Sequence, residues 1–385
     1  MKNVLELLER TAARLPRQTA FADQQCSYDY QTVVNIAGSV GSALAANGDR
    51  NCPVAVLMER GAPCLVTLMG VLYSGNFYVV LDPEMPAERV NKILRTLQPT
   101  ALICDEAHKD DPAGLDYDGK VYSAEALAAG QAQPELLQTV RRRMIDTDPA
   151  YAIFTSGSTG NPKGVVVNHR SVLAYSAWAA DTFGISEKTI FGNQTPFYFS
   201  MSVTDIYATI RTGAQLHVIP KSYFSFPALL IRYLNERQVN TIYWVPSALS
   251  IVANLKVLDF MMAEHIEKVL FAGEVMPAKQ LNYWRSKYPN ALFANLFGPT
   301  ETTDICTYYI VDREIKDTES VPIGIACDNC DSRTYLIYQP RYPWALTQAD
   351  RDLTEEHLAA MFGRYVGMLT DEVVDVDYQE VENGG

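Results

Sequence analysis

The chain alternates short apolar runs with longer stretches in which apolar residues recur every three or four positions. In the first half, runs at 54–58, 77–81, 101–104 and 151–154 predict buried strands, while 87–97 predicts a helix. The second half repeats the pattern, with strands predicted at 215–219, 241–245 and 268–271 and helices at 226–237 and 277–287. Alternating strands and helices predict parallel sheets covered by helices. We therefore expect an α/β protein with two layered lobes inside one domain of residues 1–330.

Two segments do not follow this pattern. Residues 105–148 are polar and rich in charge, and they separate the first strands from the apolar strand at 151–154. After residue 330 the spacing of Leu353, Leu358, Met361 and Tyr365 predicts one amphipathic helix, which is followed by an acidic end. Residues 331–385 are therefore expected to form a tail distinct from the preceding domain.

Composition narrows the classes of function. The formal net charge of -13 argues against nucleic acid as a partner, because no basic excess exists to bind phosphates along a duplex. The most apolar stretch, residues 62–73, is too short to cross a membrane, and residues 1–15 lack the apolar core of a secretion signal. Seven scattered cysteines fit reduced thiols, so we expect a cytoplasmic protein with a small-molecule or protein partner. A single CxxC, Cys327 to Cys330, has no second pair and does not predict zinc.

The segment 155–164, TSGSTGNPKG, is the strongest chemical signal in the chain. Its glycines let backbone amides approach an anion closely, its hydroxyls add donors, and Lys163 adds a positive charge. This combination predicts a polyphosphate site. It differs from the common P-loop, in which Ser or Thr follows the lysine, because Gly164 stands there instead. The alternative is a flexible surface loop, which the preceding buried strand and the closing lysine make less favourable.

The longer segment TSGSTGNPKGVVVNHRSV resembles the signature of the adenylate-forming superfamily, in particular the amino-acid adenylation domains of nonribosomal peptide synthetases and the D-alanine-carrier-protein ligases. Further segments resemble family motifs in the same order, namely NFYVVLDPEMP at 76–86, QTPFYF at 194–199, AGE at 272–274, NLFGPTET at 295–302 and VPIGIACDN at 321–329. The resemblance covers residues 1–330. It implies a ligase that uses ATP and Mg²⁺ to activate a carboxylic acid as an acyl adenylate, for transfer to the phosphopantetheine thiol of a carrier protein.

The resemblance also implies roles for single residues. The loop that ends at Lys163 would hold the β- and γ-phosphates, Thr300 would contact the α-phosphate, and Glu301 would bind magnesium, so these three residues are the predicted catalytic group. Adenine would lie beside Phe297, with Asn295 contacting its exocyclic amine. The complete predicted ATP site comprises Thr155, Ser156, Gly157, Ser158, Thr159, Gly160, Lys163, Gly273, Glu274, Asn295, Leu296, Phe297, Gly298 and Thr300.

The predicted acid pocket departs from the family pattern. Where members that take α-amino acids carry an aspartate for the substrate amine, this chain has Ser200, and a hydroxyl cannot neutralise a buried ammonium. The predicted lining is otherwise mostly apolar, as an aryl or alkyl acid requires, and comprises Phe199, Ser200, Met201, Thr204, Trp244, Leu270, Ala272, Leu296, Asp304 and Ile305. Asp304 is the exception and would pair with an amine placed elsewhere, as in a β-amino or aminoaryl acid. The alternative for Asp304 is a helix-capping role without a ligand.

Two further expectations remain open at this point. His169 either positions the phosphate loop or has a structural role. Past Asp331 the resemblance stops, whereas complete family members continue to a ribose-binding aspartate, a hinge and a small lobe with a catalytic lysine; this chain has no lysine after Lys316. We therefore expect impaired activity, and two alternatives stay open: an inactive nucleotide-binding or interaction module, and a ligase that uses coenzyme A as the acceptor.

Overall fold

The computed structural model describes residues 1–156 and 162–328. Within these ranges the helices are α1 (Leu5–Arg14), α2 (Tyr30–Ala45), α3 (Ala62–Tyr73), α4 (Ala87–Leu97), α5 (Ala124–Ala128), α6 (Pro134–Arg143), α7 (His169–Thr182), α8 (Ser202–Thr212), α9 (Pro227–Glu236), α10 (Pro246–Asn254) and α11 (Ala278–Lys287). The strands are β1 (Thr19–Ala22), β2 (Ser27–Asp29), β3 (Pro53–Leu57), β4 (Phe77–Leu81), β5 (Ala101–Cys104), β6 (Lys120–Ser123), β7 (Pro149–Ser156), β8 (Pro162–Asn168), β9 (Ile190–Asn193), β10 (Gln215–Val218), β11 (Thr241–Trp244), β12 (Lys268–Ala272), β13 (Leu292–Phe297), β14 (Thr307–Ile310) and β15 (Ile325–Ala326). Every strand and helix predicted above within these ranges is present.

The strands form two sheets. The larger has nine strands in the order β15-β14-β13-β12-β11-β9-β10-β1-β2, and the smaller has six in the order β6-β5-β3-β4-β7-β8. The central strands of both sheets run parallel, and antiparallel pairs occur at β1–β2, β13–β14, β14–β15 and β7–β8. The prediction of an α/β fold with two layered lobes is confirmed.

Neighbouring residues on the central strands of the larger sheet face opposite sides, because side chains alternate along a strand. One face, which we call the site face, carries Tyr243, Leu270, Ala272, Ala294 and Leu296. The other, which we call the core face, carries Ile242, Trp244, Val269, Phe271 and Phe293. Helix α8 packs with the site face, whereas α10 and α11 pack with the core face.

Three polar contacts join the two lobes. The Tyr78 hydroxyl on β4 lies 2.9 Å from that of Tyr207 on α8. The Tyr151 hydroxyl on β7 donates to the carbonyl of Thr303 at 3.1 Å. Arg60, which follows β3, donates to the Asn193 side chain at the end of β9. This last contact lies at the carboxyl ends of β3 and β9, and ligands of open α/β sheets bind at such strand ends, so it marks where a site is expected.

The polar stretch at 105–148 contains more structure than its sequence predicts. It supplies β6, which extends the smaller sheet beside β5, and the helices α5 and α6. Strand β6 carries no buried residue, so it lacks the apolar run that reveals a strand in sequence. The residues predicted to form an amphipathic tail, 331–385, and Cys330 lie outside the described ranges. No helix of the described residues is long and apolar enough to cross a membrane, and α3 has only 12 residues.

Candidate functional site

The base of the predicted phosphate loop is a hairpin of β7 and β8. Thr155 pairs with Lys163 across the two strands, and Ser156 pairs with Pro162 through the backbone. The hairpin therefore places the Thr155 and Lys163 positions side by side where the loop leaves the sheet. The loop residues themselves, Gly157, Ser158, Thr159 and Gly160, lie outside the described ranges, as does the side chain of Ser156.

The segment after β13 turns back toward this hairpin. Residues Thr300–Thr302 form a short 3-10 turn that packs against β8. Thr303, which follows, is buried and has a φ of 79°, a backbone conformation that costs a non-glycine residue on the order of 1–3 kcal/mol. The Tyr151 hydroxyl bonds to the Thr303 carbonyl and holds this strained turn. Thr300 and Glu301 are therefore fixed beside the strand that carries Lys163.

The ends of β12 and β13 bring the predicted adenine residues together. Gly273 has a φ of 87°, which glycine adopts without strain, and it lies beside Met201, whose sulfur is 3.4 Å from where a Cβ on Gly273 would be. Glu274 accepts from the Ser247 backbone N–H at 2.8 Å. Asn295 is buried and donates its side-chain N–H to the Pro322 carbonyl at 2.8 Å. That bond orients the Asn295 side chain. Its Oδ1 atom is then the group that can accept a hydrogen bond from an amine.

Asp304 is the centre of a buried polar cluster on the site face. Its Oδ2 accepts from the hydroxyls of Thr204 at 2.7 Å, Tyr175 at 2.9 Å and Tyr243 at 3.3 Å. The carboxyl group is 1% exposed, and burial raises its pKa to about 6, although hydrogen bonds from these hydroxyls and from Ser200 favour the charged form. At neutral pH Asp304 therefore carries a negative charge in a site that water does not reach.

The hydrogen-bond partners of Asp304 within the described ranges are neutral hydroxyls. Such donors stabilise a carboxylate, but they do not cancel its charge. A buried charge without an opposite charge is costly, because the interior solvates it poorly. The cluster can therefore gain stability by binding a cationic group.

Most of the other predicted lining residues lie on the same face as Asp304. Met201, Leu270, Ala272, Leu296 and Ile305 belong to the apolar cluster of the site face. Phe199 lies at the rim, since it is 54% exposed and its ring centroid is 4.8 Å from that of Tyr198.

Trp244 is placed differently from the prediction. Its ring is buried on the core face, its indole N–H donates to the Gly192 carbonyl at 2.7 Å, and Phe224 packs edge-on against it. Its neighbour Tyr243 faces Asp304 instead. The prediction for Trp244 was wrong by one residue. Because side chains alternate along a strand, a shift of one residue moves a side chain from one face of the sheet to the other.

His169 lies at the start of α7 and contacts the amino-terminal segment. Its Nδ1 accepts from the Val4 backbone N–H at 3.4 Å, and burial lowers the pKa of its imidazole to about 4. The ring is therefore neutral at physiological pH. This geometry supports the structural role that the sequence left open.

Comparisons with known proteins show the family to which the chain is similar. The family model described as AMP-binding enzyme matches residues 8–334. An L-proline–L-prolyl-carrier protein ligase of Pseudomonas fluorescens is 31% identical over 341 residues, covering 85% of this chain and 67% of the relative. A D-alanine–D-alanyl carrier protein ligase of Bacillus velezensis is 29% identical, covering 85% and 65%. The chain thus spans about two thirds of these relatives' length.

Solved structures share the fold. The nonribosomal peptide synthetase FmoA3 superposes with a TM-score of 0.75 at 22% identity, covering 84% of this chain and 34% of that one. The N-terminal subdomain of Klebsiella oxytoca NpsA, solved with 3-hydroxyanthranilyl-AMSN, superposes with a TM-score of 0.70 at 20% identity, covering 85% and 81%.

Proposed function

Because this chain belongs to the AMP-binding enzyme family, whose model matches residues 8–334, we propose that it activates a carboxylic acid with ATP as an acyl adenylate. In this reaction the acid's carboxylate attacks the α-phosphorus of ATP, and pyrophosphate leaves. Repulsion between anions opposes the attack, so the protein has to supply positive charge and fixed positions. The hairpin base and the strained turn after β13 provide both.

The parts of the ATP site have distinct tasks in this proposal. Lys163 neutralises the leaving phosphates, and the Thr155 hydroxyl donates to them from the facing strand. Thr300 donates to the α-phosphate, where negative charge builds up during attack. Asn295 accepts from the exocyclic amine of adenine, because its own N–H group is already used by Pro322. The turn that ends at Thr303 keeps the Thr300 hydroxyl in position for the α-phosphate before the reaction begins.

Glu301 is the proposed ligand for Mg²⁺. No group of three His, Cys, Asp or Glu side chains in the described ranges converges as a metal cage. This donor set fits magnesium, which commonly takes one or two carboxylates and completes its shell with phosphate oxygens and water. Magnesium bound there would neutralise phosphate charge. Glu301 holds its place through the turn of Thr300–Thr302.

The observation that carries the choice of substrate is the buried, uncompensated carboxylate of Asp304. A substrate ammonium would supply the missing positive charge. Ser200 offers no charge at the position where relatives that take α-amino acids use an aspartate, so the amine reaches Asp304 from another carbon. We propose as the substrate a β-amino acid, whose ammonium can pair with Asp304, or an aminoaryl acid, whose neutral amine can donate a hydrogen bond to the same carboxylate. The apolar wall of Met201, Leu270 and Ile305 encloses its carbon frame.

The proposed acceptor is the phosphopantetheine thiol of a carrier protein. Both curated relatives described above are named as carrier-protein ligases, and they are 31% and 29% identical to this chain over the aligned residues. The reaction would release AMP as the thiol attacks the acyl carbonyl. A gel-shift or mass measurement of the loaded carrier, with coenzyme A as the competing acceptor, distinguishes the two routes.

The test measures pyrophosphate exchange and ligand binding with matched acids. The pairs are β-alanine with propionate and 3-aminobenzoate with benzoate, and L-proline and D-alanine represent α-amino acids. We expect β-alanine, whose amine is cationic at pH 7, to be preferred by about 100-fold over propionate, whereas 3-aminobenzoate, whose arylamine is neutral, gains only a hydrogen bond over benzoate.

Binding is measured separately with nonhydrolysable acyl-sulfamoyl-adenosine analogues of the same acids, because binding does not require turnover. Tight binding without exchange would identify an inactive module. Preference for an α-amino acid or for a deaminated acid would disprove the proposed substrate, and no binding of any analogue or of ATP would disprove the proposed activity. Lys163→Ala should weaken ATP binding by about tenfold or more.

A further inference from the structure

Helix α8 carries Thr204, which contacts Asp304. The first turn of α8 has no side-chain cap. Its N-cap position, Met201, makes no side-chain hydrogen bond to the helix. The first backbone N–H groups of the helix, those of Ser202 and Val203, donate to the carbonyls of Phe199 and Ser200, so backbone turns begin the helix in place of a side-chain cap. Thr204 is fully buried, and its hydroxyl is 2.7 Å from Asp304. A side-chain contact from this turn to another element can fix the position of Thr204 further.

Asp205, the next residue, provides that contact. It is 1% exposed, and its Oδ2 accepts from the Asn193 side-chain N–H at 2.8 Å. The Asn193 carbonyl oxygen in turn accepts from the Arg60 guanidinium at 3.2 Å. Arg60 also donates to the backbone carbonyls of Gln194 and Ile219, at the ends of two neighbouring strands. The chain of bonds thus runs from α8 through β9 to the other lobe.

The groups that face Asp205 define its charge. They are Asn193 from β9, Arg60 from the segment after β3, Asp304 beyond β13, and Tyr243 from β11. Burial raises the pKa of Asp205 to about 8, and the nearby Asp304 contributes in the same direction. Asp205 therefore holds a proton at neutral pH and acts as a hydrogen-bonding group, so Asp304 carries the negative charge of the pocket.

We propose that Asp205 is a positioning residue for the acid pocket: through Asn193 and Arg60 it fixes the first turn of α8, and with it the hydroxyl of Thr204 that orients Asp304. This inference rests on the proposed function, because it assigns a task within the same pocket. It extends that function by making amine recognition depend on a contact between the two lobes. Asp205 does not touch the substrate.

The test compares three variants on α8. Asp205→Ala removes the acceptor for Asn193, and Asp205→Asn keeps an acceptor of the same shape without a titratable group. Thr209→Val is the matched control, because the Thr209 hydroxyl is equally buried on the same helix and has no partner among the described residues. The probes are the β-alanyl and propionyl sulfamoyl-adenosines, with AMP as the reference ligand, measured by calorimetry at pH 7.

For Asp205→Ala we expect the preference for the amine-bearing probe to fall by about tenfold while AMP binding changes less than about twofold. Asp205→Asn and Thr209→Val should keep the preference of the unmodified protein. A purely structural role would instead weaken all three ligands in parallel and lower the melting temperature in step. An unchanged preference in Asp205→Ala would overturn the inference.

If Asp205→Ala does not fold, Asn193→Ala cuts the same chain of bonds from β9 and should give the same selective loss. Equal preference in Asn193→Ala and the unmodified protein would then overturn the inference. The two proposals fail differently. When neither acyl probe binds the unmodified protein, the proposed function is wrong; when the amine-bearing probe binds well and Asp205→Ala leaves its advantage intact, only the positioning role is wrong.

Discussion

The two faces of the larger sheet are built from the same strands but hold different kinds of residue. The core face packs Trp244, Phe271 and Phe293 against α10 and α11, and its polar atoms are satisfied locally, as in the bond from Trp244 to Gly192. The site face combines apolar side chains with a buried carboxylate that has no opposite charge beside it among residues 1–156 and 162–328. Alternation along each strand keeps these environments one residue apart. The core face supplies stability and the site face is the one proposed to bind the acid, so substitutions of neighbouring residues should separate the two effects.

The largest expected effect lies on the core face. Trp244→Ala should lower the free energy of unfolding by about 3–5 kcal/mol, because it removes a large buried ring and leaves a cavity. Denaturant unfolding measures the change, and Trp244→Phe is the milder control that keeps most of the volume. Folded Trp244→Phe protein should keep the unmodified preference among acids. A shifted preference with unchanged stability would contradict the division between the faces.

The next effect is a pH dependence of the free energy of unfolding. It comes from His169 at the start of α7, the helix that also carries Tyr175. His169 is buried and its pKa falls from 6.5 to about 4, so between those values the unfolded chain binds a proton that the folded chain does not. Stability from this residue is therefore present above pH 6.5 and is lost as pH falls toward 4, by about 2 kcal/mol between pH 7 and 5.

His169→Gln removes this titration and keeps an acceptor for the Val4 N–H. Between pH 7 and pH 5, the free energy of unfolding of His169→Gln should rise by about 2 kcal/mol relative to that of the unmodified protein, because only the unmodified protein loses stability through this histidine. Comparing the two proteins cancels the opposing titrations of Asp205 and Asp304. Parallel stability curves would show that His169 does not stay neutral in the fold.

The smallest expected effect tests Tyr243 against its neighbour. Tyr243→Phe removes one hydrogen bond to the charged form of Asp304, which raises the pKa of that carboxyl further. Binding of the β-alanyl probe should weaken by about fivefold at pH 6 and by less at pH 8, where Asp304 remains ionised. Trp244→Phe serves as the control on the other face and should show no such pH dependence. Equal pH profiles for Tyr243→Phe and the unmodified protein would exclude Tyr243 from the cluster.

Much of the fold could be predicted from sequence because its strands are buried on both sides. Continuous apolar runs such as Phe77–Leu81 and Ala101–Cys104 match their strands in the structure. Strand β6, Lys120–Ser123, was missed because an edge strand with exposed side chains carries no such run. A continuous apolar run does not show which of its residues face which side of the sheet, and this explains why Trp244 was predicted where Tyr243 lies. The hydrophobic pattern therefore predicts the position of a strand in the chain more reliably than the orientation of its side chains.

The residues of the candidate site remain a prediction. Motif order predicts that the Thr300 turn and Asp304 belong to one site, and the structure has the turn beside β8 and Asp304 in the buried cluster of the site face. Tyr175, which donates to Asp304 from α7, carries no motif and is distant in sequence. The same holds for Arg60 and Asn193, whose roles depend on contacts between lobes. Such contacts arise from tertiary packing, and a single sequence contains no local signal for them.

The variant Asp304→Asn tests whether Asp304 selects a substrate amine. The measurement is the ratio of dissociation constants for the propionyl and β-alanyl sulfamoyl-adenosines, with AMP binding as the control for a folded nucleotide site. Removing one member of a buried charge pair typically costs about 3–5 kcal/mol, so the preference for the amine should fall by about 100-fold or more while AMP binding stays unchanged. A preference for the amine that persists in Asp304→Asn would contradict the claim.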